Sequence, residues 1–157
     1  MLLLLALTAS LSAQTLVPGQ PASATLGEKQ SQKFALSATT GSFIHLQAEP
    51  GRSDIVLTLY RQNGSPVASV NRWAEGIEEI FVLAPADESL TVSVFNRGPG
   101  QSTFTLRATT RPADEPARHC AAAFQKSWID RAAAKGTPLQ QARANIPILE
   151  AARTDWQ

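Results

Sequence analysis

The chain is poor in the residues that most often betray a function. Of its 157 residues, one is cysteine (Cys120), two are histidine (His45 and His119), and tyrosine and methionine occur once each. A lone cysteine excludes an intrachain disulfide, and with it a small disulfide-stapled scaffold. One cysteine and two distant histidines also fall short of the three or four ligands a zinc site needs, so no metal and no cofactor is expected. Charge of one sign is scarce too: 14 Lys and Arg stand against 13 Asp and Glu, a formal net charge of +1. Residues 14–110 hold 7 basic and 8 acidic side chains, and residues 111–157 hold 7 and 5. Neither stretch carries the positive field that sequence-independent nucleic-acid binding requires, and no polybasic patch marks a membrane surface. A Gly-rich phosphate loop ahead of a helix and a nucleophile elbow are both missing.

Charge is absent altogether before Glu28. Met1 opens a nearly all-leucine run to Leu7, followed by the small residues Ala9, Ser10, Ser12 and Ala13. Such a run has signal-peptide length and is too short to span a bilayer. Residues 1–13 are therefore read as a signal peptide lacking the usual positive start. The chain is expected in the periplasm or outside the cell, with no membrane span after signal removal.

What the sequence does have, from residue 16 to 110, is period-two alternation broken at short intervals by turn residues. That pattern predicts a mainly β fold, an antiparallel β-sandwich or jelly roll of about eight strands, best fitted by a continuous meander. Leu16-Val17-Pro18-Gly19-Gln20 makes the opening turn, and Phe34 and Leu36 share a face. Ile44, Leu46 and Ala48 lie opposite Phe43, His45 and Gln47. Glu49-Pro50-Gly51-Arg52-Ser53 reads as a loop. Residues 54–62 form the strongest strand, with Asp54 accepting loop N–H groups where it begins. Asn63-Gly64 supplies the left-handed backbone of a tight hairpin turn.

At Arg111-Pro112-Ala113-Asp114 the character changes. Asp114 is a suitable N-cap and Pro116 suits the first helical turn. Ala117, Cys120, Ala121, Phe124, Trp128 and Ala132 then recur at helical spacing. Gly136 ends that helix, and Thr137 and Pro138 start a second one, antiparallel to it. Pro147 kinks or breaks the second helix near Asn145. The expected organisation is a signal peptide (1–13), a sandwich (14–110) and a C-terminal helical hairpin (111–157).

The sandwich region resembles the bacterial pre-peptidase C-terminal (PPC-like) domain. The residues that carry the resemblance are Leu16-x-Pro18-Gly19-Gln20, Lys33-Phe34-Ala35-Leu36 and Asp54-Ile55-Val56-Leu57-Thr58-Leu59-Tyr60 with Asn63-Gly64. The apolar run 80–84 and the closing Phe104-Thr105-Leu106 complete it. The tail is similar to the start of tetratricopeptide-type repeats, through Gly136-Thr137, Ala144, Ile148 and Ala151, with Pro147 and Trp156 departing from the pattern. In secreted bacterial proteins that order often precedes a caspase-like CHAT protease domain. The resemblance implies an accessory, protein-interaction role and carries no catalytic residue onto this stretch.

The remaining chemistry-bearing residues are few. His45, beside Ile44 and Leu46, is expected to face solvent. His119 and Cys120 are neighbours on one helix and point about 100° apart, so they form no catalytic dyad, and Cys120 reads as a small buried residue. Glu78 and Glu79 face opposite sides of a strand and cannot work as an acid–base pair. Glu75, Glu78, Asp87 and Glu88 could gather for calcium, although solvated loop charges are the commoner outcome. Trp73 and Phe43 could stack on sugar rings as ligand contacts, or Trp73 could fold over an open core edge. Two functions are carried forward: a non-catalytic exported module that binds a protein partner through its helices, and a glycan- or polymer-binding sandwich using Trp73. A polar cleft in which His45 or His119 met a carboxylate or Cys120 would overturn the non-catalytic reading.

Overall fold

The alternation closes two sheets around one core. The computed structural model describes residues 13–72 and 76–133. The leucine-rich start, Trp73 and the second helical stretch lie outside the described residues. Within them are nine strands and one helix: β1 (Gln14–Thr15), β2 (Ala22–Leu26), β3 (Ser31–Ala38), β4 (Ser42–Pro50), β5 (Ile55–Tyr60), β6 (Pro66–Val70), β7 (Glu78–Leu83), β8 (Glu88–Asn96), β9 (Ser102–Pro112) and α1 (Glu115–Ala133). One sheet has the order β1-β3-β8-β5-β6, the other β2-β9-β4-β7. The chain is mainly β, as the alternation predicts.

The meander is not what forms. Of the eight connections between these strands, only β5 to β6 stays within a sheet; the other seven cross to the facing sheet. Alternation sets which residues face inward but does not say which strands pair, and that is where the expectation fails. Two smaller departures follow. β1 pairs parallel with β3, and β4 runs on through Pro50 because its register with β9 continues to Phe104. The β5–β6 connection is also looser than a two-residue hairpin. Gly64 alone takes a left-handed φ of 83°, Arg61 N–H bonds the Ser65 carbonyl, and the pairing shifts register at Leu59/Tyr60.

The register aligns the apolar rows. Val92 of β8 stands between Phe34 of β3 and Leu59 of β5, and Leu46 of β4 stands between Ile80 of β7 and Ala108 of β9. All six are essentially inaccessible to water. Phe34 and Phe104 meet edge-on across the two sheets, 6.1 Å between ring centres at 87°. Each fully buried side chain of this kind stabilises the fold by roughly 1.5–3 kcal/mol.

The helix begins as its sequence dictates. Asp114 Oδ1 accepts the Ala117 N–H at 2.9 Å, and Pro116 sits in the first turn. Ala117, Cys120, Ala121 and Phe124 form the buried stripe. That stripe lies chiefly across β7, with lesser contact to β4 and β6. The outer face of the four-stranded sheet is therefore half a second core.

Candidate functional site

Beneath α1, the outward-facing side chains of β4 and β7 make a ladder of rings. Phe43 and Phe81 stack with centres 6.4 Å apart, His45 lies flat on Phe81 at 4.4 Å and 12°, and Phe124 of α1 closes on Phe81 edgewise at 6.0 Å. Phe43 is 0 % exposed, with the Arg111 guanidinium 5.2 Å above its ring. Phe43 is thus part of the packing and presents no surface to a ligand. His45 corrects a second expectation. It is 8 % exposed rather than solvent-facing, because α1 covers the strand face it shares with Phe43.

His45 Nε2 lies 3.2 Å from Glu79 Oε1, and Glu79 is 3 % exposed. A histidine held by a carboxylate is part of a nucleophile-activating set. The pair here is diagonal across β4 and β7, wedged under a helix and stacked on a phenyl ring, and both side chains are buried. His119 and Cys120 diverge as helix geometry requires: His119 is exposed and Cys120 fully buried.

Glu78, on the opposite face of β7 from Glu79, is also 3 % exposed. Its Oε1 accepts the Arg72 N–H at 2.7 Å and its Oε2 has no hydrogen-bond partner. Burial pushes its pKa up from 4.5 to about 7, against the pull of the Arg72 N–H and of the Arg72 and Arg131 charges, while Asp54 adds to the rise. Arg131 comes from the last turn of α1, and partial burial holds it below the usual arginine value. Asp54 does accept loop N–H groups, from Arg97 and Gly98 at 2.8 and 3.1 Å, but through its backbone carbonyl. Its carboxylate lies 3.9 Å from the Arg97 guanidinium.

Among the described residues, no three His, Cys, Asp or Glu side chains converge as metal ligands would. Asp87 instead accepts the Thr40 N–H, and Glu88 takes up Arg61 and the Gln62 N–H. Asn63 Oδ1 accepts both the N–H and the hydroxyl of Ser65, fixing the turn.

One structural hub escaped the sequence reading. Asn96, 0 % exposed at the end of β8, donates through Nδ2 to the carbonyls of Leu26, Gly27 and Gly100 and accepts the Ser53 hydroxyl at 2.7 Å. It ties together three loops at one end of the sandwich. Its only sequence signal is a polar residue at an inward position of an alternating strand.

No protein-family model matches the chain, and no curated protein matches it. Solved structures do. The chain is similar to the pre-peptidase C-terminal domain of collagenase from Bacillus anthracis, at 13% identity over 62% of this chain and 95% of that one, with a TM-score of 0.53. Looser likenesses join it to a periplasmic inhibitor of g-type lysozyme from Aeromonas hydrophila (14% identity, 63% of this chain and 98% of that one, TM-score 0.48). A carbohydrate-binding module in complex with β-1,4-galactotriose is looser still (11%, 57% and 69%, TM-score 0.39). Neither of these two superposes closely enough to bear on function. The first likeness shows the fold alone: strands β1 to β9 form a PPC-like β-sandwich.

Proposed function

We propose that the chain is an exported, non-catalytic accessory module in which a PPC-like sandwich holds a helical tail in a fixed direction for a protein partner. One observation carries this reading: α1 is built into the sandwich. β9 runs through Arg111 and Asp114 straight into the capped helix, and the helix seals Phe43, Phe81 and the His45–Glu79 pair beneath its apolar stripe. A helix anchored over several turns fixes the heading of whatever follows it, which is what an orienting module does. The leucine-rich start of the sequence supports export. On this reading, N-terminal sequencing of the protein recovered from the cell exterior or periplasm finds a chain beginning near Gln14.

The partner test uses substitutions that leave the buried stripe alone, since deleting α1 would bare Phe43 and Phe81. Ile129, on the outer side of α1, is 53 % exposed. Chemical crosslinking in the native host, with Ile129→Asp compared against Lys33→Glu on the far sheet, gives the reading its check. Loss of a reproducible crosslinked protein with Ile129→Asp alone supports the helical surface. Loss with Lys33→Glu and retention with Ile129→Asp places the partner on the other sheet and defeats the proposal.

A further inference from the structure

One hollow of the described protein is lined by Arg111, the residue whose guanidinium sits over Phe43. It is a pocket of about 600 Å³ at the sandwich end, where the β3–β4 turn meets the junction of β9 and α1. That volume is in the range of small-molecule sites, but the walls are unusual for one. Its lining includes the hydroxyl residues Ser37, Thr39, Thr40, Ser42 and Thr110 and the cationic residues Arg111 and Arg118; the Ser42 hydroxyl is taken by the Thr39 carbonyl and the Thr40 side chain by Asp87. None of the lining residues is acidic.

The walls are fixed in advance. Arg111 is held from two sides, by the ring of Phe43 beneath it and by Asp114 Oδ2 at 2.7 Å from its Nη1. Asp114 is itself locked by capping Ala117. This support sets the plane of the Arg111 fork and leaves most of its N–H groups for a ligand. The turn opposite is equally determined: Ser42 N–H and hydroxyl both bond the Thr39 carbonyl, Gly41 N–H bonds Ala84, and Asp87 takes the Thr40 N–H. Arg118 is exposed and forms no side-chain ion pair or hydrogen bond with any described residue. A pre-organised fork and a second guanidinium that line the same hollow as a set of hydroxyl residues suit one kind of molecule: a planar oxyanion carried on a polyhydroxylated frame.

We propose that this pocket binds an acidic saccharide, with the uronate carboxylate between Arg111 and Arg118 and the ring hydroxyls on Ser37, Thr39 and Thr110. The hydroxyl rim, which can both donate and accept, favours a saccharide over an acidic peptide. No part in it is assigned to Trp73, and it stands or falls independently of the partner-orienting role. Because a ligand here would bridge β9, α1 and the β3–β4 turn, it would also tighten the seat of the helix.

Isothermal titration calorimetry on the full chain tests it, with trigalacturonate, neutral galactotriose and triglutamate as probes. Trigalacturonate binds, galactotriose binds at least tenfold more weakly, and triglutamate at least tenfold more weakly. Arg118→Ala, a change at an exposed residue, weakens trigalacturonate tenfold or more with an unaltered melting temperature. On the native protein, trigalacturonate shifts the amide NMR signals of residues 39–42 and 110–118. Equal binding of acidic and neutral trisaccharides, equal or tighter binding of triglutamate, no binding at 10 mM (about −3 kcal/mol on the 1 M scale), or Arg118→Ala without effect would each overturn the assignment.

Discussion

Glu78 makes the fold's stability depend on pH in an unusual direction. Its folded-state pKa is about 7 against an ordinary 4.5, chiefly because burial disfavours its charge. At about 1.4 kcal/mol for each tenfold change in proton affinity, that difference amounts to about 3 kcal/mol. The sign follows from which form the folded state prefers. The folded protein holds the proton more tightly than the unfolded chain, so this contribution is fully present below pH 4.5. It declines as pH rises toward 7 and is lost above it. Glu78→Gln keeps the shape and the acceptor for Arg72 N–H but has no proton to lose. The stability difference between variant and native should therefore be small at pH 4.5 and grow to about 3 kcal/mol in favour of the variant at pH 8. Urea denaturation at half-unit pH steps, followed by circular dichroism, measures that gap. A gap constant from pH 5 to 8, or a variant less stable than native at pH 8, would refute the account of Glu78 as a desolvated carboxyl.

Three further outcomes are expected. Asn96→Ala deprives Leu26, Gly27 and Gly100 of a buried donor, and should lower stability by about 1–3 kcal/mol in the same denaturation assay. Phe124→Ala removes the ring that closes on Phe81 and should destabilise by about 3–5 kcal/mol; a loss under 1 kcal/mol would mean the helix is not part of the core. Asp114 is held below the usual aspartate value, by Arg111 first and by the Ala117 N–H next, so its contribution is present above pH 3.8 and fades as pH falls further. Asp114→Ala should accordingly lower the melting temperature at pH 7, by a margin that shrinks as pH falls below 3.8.

Much of this was legible in the residues themselves. Phe34, Leu36, Leu57, Leu59, Val92 and Val94 face inward as period-two alternation requires, and Asp114, Pro116 and the 117–124 stripe start and bury the helix as their spacing requires. What alternation cannot carry is long-range pairing, so it holds no sign of the crossing connections. His45 departs from its expected place for a related reason. Phe43-His45-Gln47 looks like the wet side of a strand until the helical stripe, which needs a face of its own, is set against it. The buried state of Glu78 and Glu79 had no local signal, since neighbouring glutamates on a strand ordinarily mean solvent on at least one side. The pocket of Arg111 and Arg118 joins residues about 70 positions from the Thr39–Ser42 turn, and only the β4–β9 register brings them together.

If α1 is part of the sandwich and not an appendage, it opens only when the sandwich does. Native-state amide hydrogen exchange followed by NMR measures this directly, because most of a helix's stability in a protein comes from packing its apolar face. Amides of residues 120–128 should open with the same free energy as those at the centres of β4 and β7. Exchange of the helix amides at near free-peptide rates, while the strands stay protected, would contradict it.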